Sequence, residues 1–464
     1  MPTRRAVLVS AFAAAAVRPA AAADPAPTVL RLVKRTIEVN GKAAGVYGIR
    51  QPDGTDGIVT RIGDRFHVRV ENEIGEPSLV HWHGLAPPWR EDGVPGVSGP
   101  PIAAGGTADY DFPLAYGGTF WMHSHQGLQE QLLFDAPLII HDGRNPSGRQ
   151  QIVLVLNDFS FTAPEAIFAA LKKGKPGMPK MAAMGGAPGM GKPAAPDLND
   201  VAYDAFLANG RTLADPATVA VEPGAEVLLR VIDAAAMSSF HFDLGQLAGR
   251  LVAVDGSPVE PVAGRRFPIN VAQRLDIAVP IPRGPGAYPL LATVEGLRNR
   301  TGIVLAAGKP PVARISADAP TPAPEITMAL ESRLRAREPL APRKPDRVHR
   351  IELGGDMAKY VWTINGVAWN PEVPPLPIAK GERVALVLTN KTPMPHPMHL
   401  HGHRFQVVEI GGKRLSGAVR DTVRVPPRGR VVIVFDADNP GLWAFHCHML
   451  YHMEAGMFTT LRYV

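Results

Sequence analysis

Gly441-Leu442-Trp443-Ala444-Phe445-His446-Cys447-His448-Met449-Leu450-Tyr451-His452, with Met457 five residues further on, is the stretch that decides how this chain is read. A leading glycine followed by apolar and aromatic residues reads as a strand. In a strand, residues i and i+2 face one side and residue i+1 the other. His446 and His448 therefore point one way and Cys447 the other, so one extended segment can serve two sites back to back. Cys447 is the only cysteine in 464 residues, which excludes an internal disulfide. A lone cysteine is ordinarily a small buried apolar residue, but here His452 and Met457 follow it at +5 and +10. Thiolate, imidazole and thioether are the ligand set of a blue copper ion, with the thioether as the weak axial contact.

The same pattern recurs upstream. Gly118-Thr119-Phe120-Trp121-Met122-His123-Ser124-His125 matches it, and Gly286-Ala287-Tyr288-Pro289-Leu290-Leu291-Ala292-Thr293 is a third copy in which Leu291 and Thr293 stand at the positions of the paired histidines. Another glycine-led segment also repeats, from Gly63, Gly224 and Gly381, at offsets of 161 and 157 residues. His81 and His399 lie eighteen residues after their leading glycines and His241 seventeen after its own. Self-similarity of this kind means three copies of one domain. The 47 prolines and 46 glycines favour short strands with frequent turns, hence an all-β chain with a Greek-key sandwich or barrel in each copy. Domain boundaries are expected near 25–145, 146–308 and 347–464, and the eight prolines of 309–346 mark a connector.

Eleven of the fifteen histidines fall in four clusters: HWHG (81–84), HSH (123–125), HPMHLHGH (396–403) and the cysteine segment. His396, which precedes the pair in its cluster, is the candidate second imidazole for the thiolate site. The pairs 81/83, 123/125, 399/401 and 446/448 supply eight further imidazoles, four from each outer copy. Eight nitrogens suit about three copper ions with open positions between the first and third domains. Zinc is disfavoured by the thiolate–thioether set. No metal role falls to His67, His141, His241, His349 or His403.

In this order, the four motifs resemble those of the multicopper oxidases, the family of laccases, ascorbate oxidase, bilirubin oxidase and periplasmic copper-efflux oxidases. The resemblance spans the whole mature chain. It implies three consecutive cupredoxin-like domains and four copper ions. The type 1 copper would be held by His396, Cys447, His452 and Met457, and the type 2 copper by His81 and His399. One type 3 copper would take His83, His123 and His448, and the other His125, His401 and His446. The implied reaction couples one-electron oxidation of a donor at type 1 to four-electron reduction of O2 to water, with electrons passing through Cys447 to His446 and His448. Reduction of O2 consumes protons, and Asp92 and Glu454 are the candidate relay. Copper-efflux members often carry an acid directly after the His452 position, where this chain has Met453.

Thr3-Arg4-Arg5 before the apolar run Ala6–Val17 resembles a twin-arginine export signal, with cleavage after Ala23. The mature protein is then expected in the periplasm, with no membrane insertion. Loss of residues 1–23 lowers the formal charge from +6 to +3 by removing Arg4, Arg5 and Arg18, too mild a balance for nucleic acid. Residues 174–196 set Met178, Met181, Met184 and Met190 in a Gly/Pro/Ala/Lys background, which reads either as a Cu(I)-binding segment or as a low-complexity insertion. The leading expectation is laccase-like oxidation of phenolic and aromatic donors. A cuprous oxidase for copper tolerance and a non-catalytic copper-binding cupredoxin are the alternatives.

Overall fold

The computed structural model describes residues 26–145, 148–174 and 198–464. The expected export signal and the four methionines at 178–190 lie outside the described residues. The rest is strand-rich and forms three two-sheet sandwiches, with sheets of four and four, six and five, and seven and five strands.

The three glycine-led segments become strands in equivalent slots. Arg65–Asn72, Glu226–Asp233 and Arg383–Asn390 each pair in parallel with the strand that opens their domain: Thr28–Val39, Gln151–Phe159 and Arg347–Asp356. On the other side each runs antiparallel to Thr107–Pro113, Arg274–Pro280 or Arg430–Asp436. In Arg65–Asn72 the alternation is plain: Phe66, Val68 and Val70 are buried while Arg65 and Arg69 are exposed. Each such burial contributes about 1.5–3 kcal/mol. The other two strands are buried along most of their length.

The facing sheet of each domain carries the other two landmarks side by side. His81–His83 pairs with Gly118–His123, placing His81 opposite His123. His396–Leu400 pairs with Leu442–Cys447, placing His399 opposite His446. In the middle domain Phe240–Asp243 pairs with Gly286–Val294, and His241 faces Thr293. Thr293, rather than the expected Leu291, thus occupies the slot of His123 and His446. Counting residues from Gly286 misplaces it because that strand begins two positions further from the cross-strand pair.

The apolar core of the third domain is continuous with Trp121 and Leu128 of the first and with Ile232, Met237 and Val271 of the second. A shared core fixes how the domains meet, which side chains on separate domains require if they are to share a site. Helix α1 (Pro164–Lys172) starts on a proline, whose fixed φ suits the first helical turn. It buries Ile167 and Leu171 and lays Phe168 on Tyr451 of α2 (Leu450–Glu454), with ring centroids 6.0 Å apart. No helix among the described residues is long and apolar enough to cross a membrane.

Candidate metal centres

Eight imidazoles converge where the first and third domains meet, and all eight are buried. Cross-strand pairing of His81 with His123 and of His399 with His446 sets two ligand-bearing strand pairs face to face. His83 stacks on His399 with ring centroids 3.8 Å apart, and His81 lies 3.9 Å from His401. The nitrogens of His125, His401 and His446 form one compact group, those of His81, His83 and His123 a second, and those of His81, His399 and His401 a third.

The outward hydrogen bonds define which nitrogen of each ring faces the centre. Nδ1–H of His81 donates to the Asp92 carbonyl at 2.8 Å, and Nδ1–H of His401 to Asp92 Oδ2 at 2.8 Å. Nδ1–H of His399 donates to the Asp421 carbonyl at 2.9 Å, and Nδ1–H of His446 to the Cys447 carbonyl at 2.9 Å. Nδ1–H of His123 lies 3.0 Å from both the Ser124 carbonyl and Glu130 Oε2. His83 is reversed: its Nε2–H donates to Asp421 Oδ1 at 3.1 Å. The inward atoms are therefore Nδ1 of His83 and Nε2 of His81, His123, His399, His401 and His446. A neutral imidazole that donates one N–H outward presents a lone pair on its other nitrogen, as metal ligands do.

A bound cation would resolve an electrostatic conflict in this arrangement. Nε2 of His401 and His446 face one another at 2.9 Å although both rings have already committed their Nδ1–H elsewhere. Nε2 of His81, His123, His399 and His448 and Nδ1 of His83 are buried with no hydrogen-bond partner, and such orphans are costly unless a ligand satisfies them. Burial, reinforced by neighbouring imidazoles, pushes His83, His123, His125, His399, His401 and His448 well below the usual histidine pKa. His446 falls to about 3, chiefly by burial. These rings stay neutral and able to ligate.

The thiolate group forms on the opposite face of the same segment. Cys447 Sγ lies 3.6 Å from His396 Nδ1 and 3.8 Å from His452 Nδ1, and those nitrogens are 3.3 Å apart. His396 Nε2–H donates to Thr392 Oγ1 at 2.7 Å and His452 Nε2–H to Asp200 Oδ2 at 2.8 Å, which leaves both Nδ1 atoms toward the sulfur. Met457 is buried, and its carbonyl accepts the Cys447 N–H at 3.0 Å. Trp362 covers the site with its ring 4.0 Å from His452. Burial pushes the Cys447 thiol well above its usual range, so deprotonation needs a metal.

Of the two expected relay acids, the structure brings only Asp92 to the centre. Glu454 is exposed at the end of α2, with Lys172 as a neighbouring charge. Three acids missed in the sequence stand against ligands instead: Glu130 beside His123, Asp421 beside His83 and His399, and Asp200 beside His452. Glu130 does follow the HSH motif within its own loop, but nothing in the spacing of Asp200 or Asp421 points to a ligand. Three of the five histidines left without a metal role are held by other hydrogen bonds: His241 to the Pro324 carbonyl, His349 to the Pro377 carbonyl and His403 to the Tyr463 hydroxyl.

Family models described as multicopper oxidase match residues 34–145, 151–307 and 342–464. The multicopper oxidase MmcO of Mycobacterium tuberculosis is 33% identical over 88% of this chain and 81% of its own length. The chain belongs to the multicopper oxidase family. This multicopper oxidase is also 28% identical to a copper resistance protein A homolog of Pseudomonas syringae pv. tomato, over 87% of this chain and 86% of the relative. Laccase-1 of Botryotinia fuckeliana is 26% identical over 85% and 74% of the two chains. Among solved structures, Fet3p, a multicopper oxidase that functions in iron import, superposes with a TM-score of 0.76 at 22% identity, over 94% of this chain and 90% of that one. Multicopper oxidases are copper-dependent oxidoreductases that reduce O2, typically with four coppers. The buried cysteine sulfur and neutral imidazoles of this multicopper oxidase are donors that copper favours.

Proposed function

We propose that this oxidase accepts electrons singly at the outer edge of His452 and delivers them to O2 at the eight-histidine centre, with Cu(I) as the donor that the edge fits best. The observation that carries the donor assignment is Asp200. Its carboxylate sits 2.8 Å from His452 Nε2 and its side chain is 2% exposed, so an acidic group caps the edge of the ring that faces away from the sulfur. A small cation is attracted there, while a bulky ring has no open face of His452 to rest on. The name of the relative copper resistance protein A agrees with a role in copper handling.

In this reading His396, Cys447, His452 and Met457 hold the type 1 copper, and His81 and His399 the type 2 copper. His83, His123 and His448 hold one type 3 copper, and His125, His401 and His446 the other. Copper bound in these sets supplies one-electron storage on one side and the place of O2 reduction on the other. The protein joins them through the Cys447 backbone and its flanking residues, a short covalent path. Asp92 holds His81 and His401 in place and is the candidate acid of the proton relay. Glu454, exposed on α2, is assigned a role in proton supply only from solvent. Export through the twin-arginine route to the periplasm, cleavage near Ala23 and domain limits of 25–145, 146–308 and 347–464 complete the proposal.

Phenols and aromatic amines form the second donor class. A thioether at Met457 lowers the potential relative to an apolar axial residue and so favours easily oxidised donors. Steady-state oxygen uptake with Cu(I) and with a phenol decides between the two. Cu(I) turnover well above phenol turnover is the expected result; the reverse makes the enzyme a laccase in function. No oxygen uptake with any donor by the copper-loaded protein leaves only a copper-binding cupredoxin.

A further inference from the structure

The middle domain contributes no imidazole to the eight-histidine centre, yet one of its side chains reaches the ligands through a single intermediary. Arg274 opens the strand Arg274–Pro280 and is fully buried. Its Nη1–H donates to Asp421 Oδ1 at 2.8 Å, and its Nη2–H donates to Asp421 Oδ2. Asp421, also fully buried, accepts the Nε2–H of His83 on Oδ1 at 3.1 Å and the Nδ1–H of His399 on its carbonyl at 2.9 Å. One residue of the third domain thus orients a histidine of the first and a histidine of its own, while an arginine of the second fixes its carboxylate plane.

Arg274 is itself constrained from every side. Its Nε–H donates to the Thr119 carbonyl of the first domain at 3.1 Å, and Nη1–H donates to the Ala272 carbonyl at 2.9 Å. Its backbone N–H donates to Asp255 Oδ1 at 2.9 Å. Asp255 in turn accepts from Arg420 Nε at 2.9 Å, and Arg420 also binds Glu331 of the connector. At the bend between the strands Val419–Arg420 and Thr422–Val425, Arg420 reaches the second domain while Asp421 and the Thr422 hydroxyl face His83 and His399.

A buried ion pair of this kind contributes little net stability, because desolvation offsets the attraction. A bidentate guanidinium–carboxylate fork does fix direction. Partners of ligating histidines set ring orientation and tautomer, and within the eight-histidine centre His83 turns Nε2 outward where His81, His123, His399, His401 and His446 turn Nδ1. We propose that Arg274 is a positioning residue for the eight-histidine centre: acting through Asp421, it holds His83 and His399 in the orientation that binds copper. The proposal rests on reading those two histidines as copper ligands.

Arg274→Lys keeps the charge and loses the fork; Arg274→Met combined with Asp421→Asn removes both charges and so leaves none uncompensated. Each is compared with the wild-type chain, copper-free and copper-loaded, by copper content, visible and EPR spectra and thermal melting. In both variants the blue band is expected to persist, because its ligands lie on the other face. The type 2 EPR signal is expected to shift or vanish, and the affinity for cluster copper to fall roughly 10–100-fold, the usual effect of losing such a partner. The rise in melting temperature on copper loading should shrink accordingly. A purely structural role would instead lower the copper-free and loaded melting temperatures alike and leave the type 2 signal unchanged, which overturns the proposal. A variant that folds only without any copper, blue band included, also overturns it. A wild-type protein lacking type 2 and type 3 copper would instead refute the ligand assignment itself.

Discussion

Asp200 closes the outer edge of His452: one carboxylate oxygen, Oδ2, accepts the imidazole Nε2–H at 2.8 Å and the Tyr360 phenol O–H at 2.6 Å. In the proposed reading electrons enter at this edge, beside an acidic side chain. Asp200→Asn preserves shape and removes charge. A charged hydrogen-bond partner contributes about 1.5–3 kcal/mol, so kcat/KM for Cu(I) is expected to drop roughly 10–100-fold. An anionic donor such as ferrocyanide should lose nothing. Equal losses for both donors in stopped-flow reduction would mean that charge at this edge does not select the donor.

Cys447→Ser should abolish the blue absorption and all donor oxidation while cluster copper stays bound. The two sites draw on opposite faces of Leu442–Cys447, so removing the sulfur leaves the imidazole side intact. Metal content with visible and EPR spectra checks this. Blue colour that survives the substitution refutes the type 1 assignment.

The metal-free protein should weaken in acid. The buried imidazoles lie below their usual pKa, so between their folded values and about 6.5 the unfolded chain binds more protons than the native one. Stability therefore rises with pH across that window, levels off above it and is lost as pH falls through it. The slope approaches about 1.4 kcal/mol per pH unit for each imidazole that stays neutral. Urea midpoints of the copper-free protein that are flat from about pH 7 to about pH 4 would contradict the neutral-imidazole picture.

Gly84→Ala should destabilise the fold and reduce cluster copper together. Gly84 has φ +90°, and a Cβ there would lie 2.6 Å from Arg274 Nη2, 2.7 Å from Asp421 Oδ2 and 2.8 Å from Phe120. The buried ion pair cannot retreat, so a cost of about 1–3 kcal/mol is expected from overpacking alone. Thermal melting and copper content are the measurements. Full copper content with an unchanged melting temperature would show that the pair has room to move.

Asp92→Asn should lower the affinity for cluster copper by roughly 10–100-fold, because Asp92 Oδ2 accepts the Nδ1–H of His401 at 2.8 Å. Chelator competition on the loaded protein reads it. An unchanged affinity would confine Asp92 to the backbone contact with His81.

Much of the site was legible because metal chemistry demands particular residues at short, repeated spacings. Cys447 with His446, His448, His452 and Met457 lies within a dozen residues, and strand alternation alone predicts two faces. Asp200, Asp421 and Glu130 were not legible. Each is an ordinary acid in sequence; Asp200 and Asp421 become significant only against histidines remote along the chain, His452 and His83, and Glu130 only once its loop folds it back on His123. Glu454 shows the reverse: two residues from His452 in sequence, it points to solvent because the short helix α2 turns it away.

Local spacing thus determined the three-domain strand-rich plan and the histidine and cysteine donors, since period-two alternation and ligand type are properties of neighbouring residues. Tertiary structure decided which nitrogen of each ring faces inward, which acids stand behind the rings and how the middle domain reaches the centre through Arg274. Those depend on hydrogen bonds between residues that only the fold brings together, and the ones to His83, His401, His452 and Arg274 exist only once separate sandwiches share one buried interface.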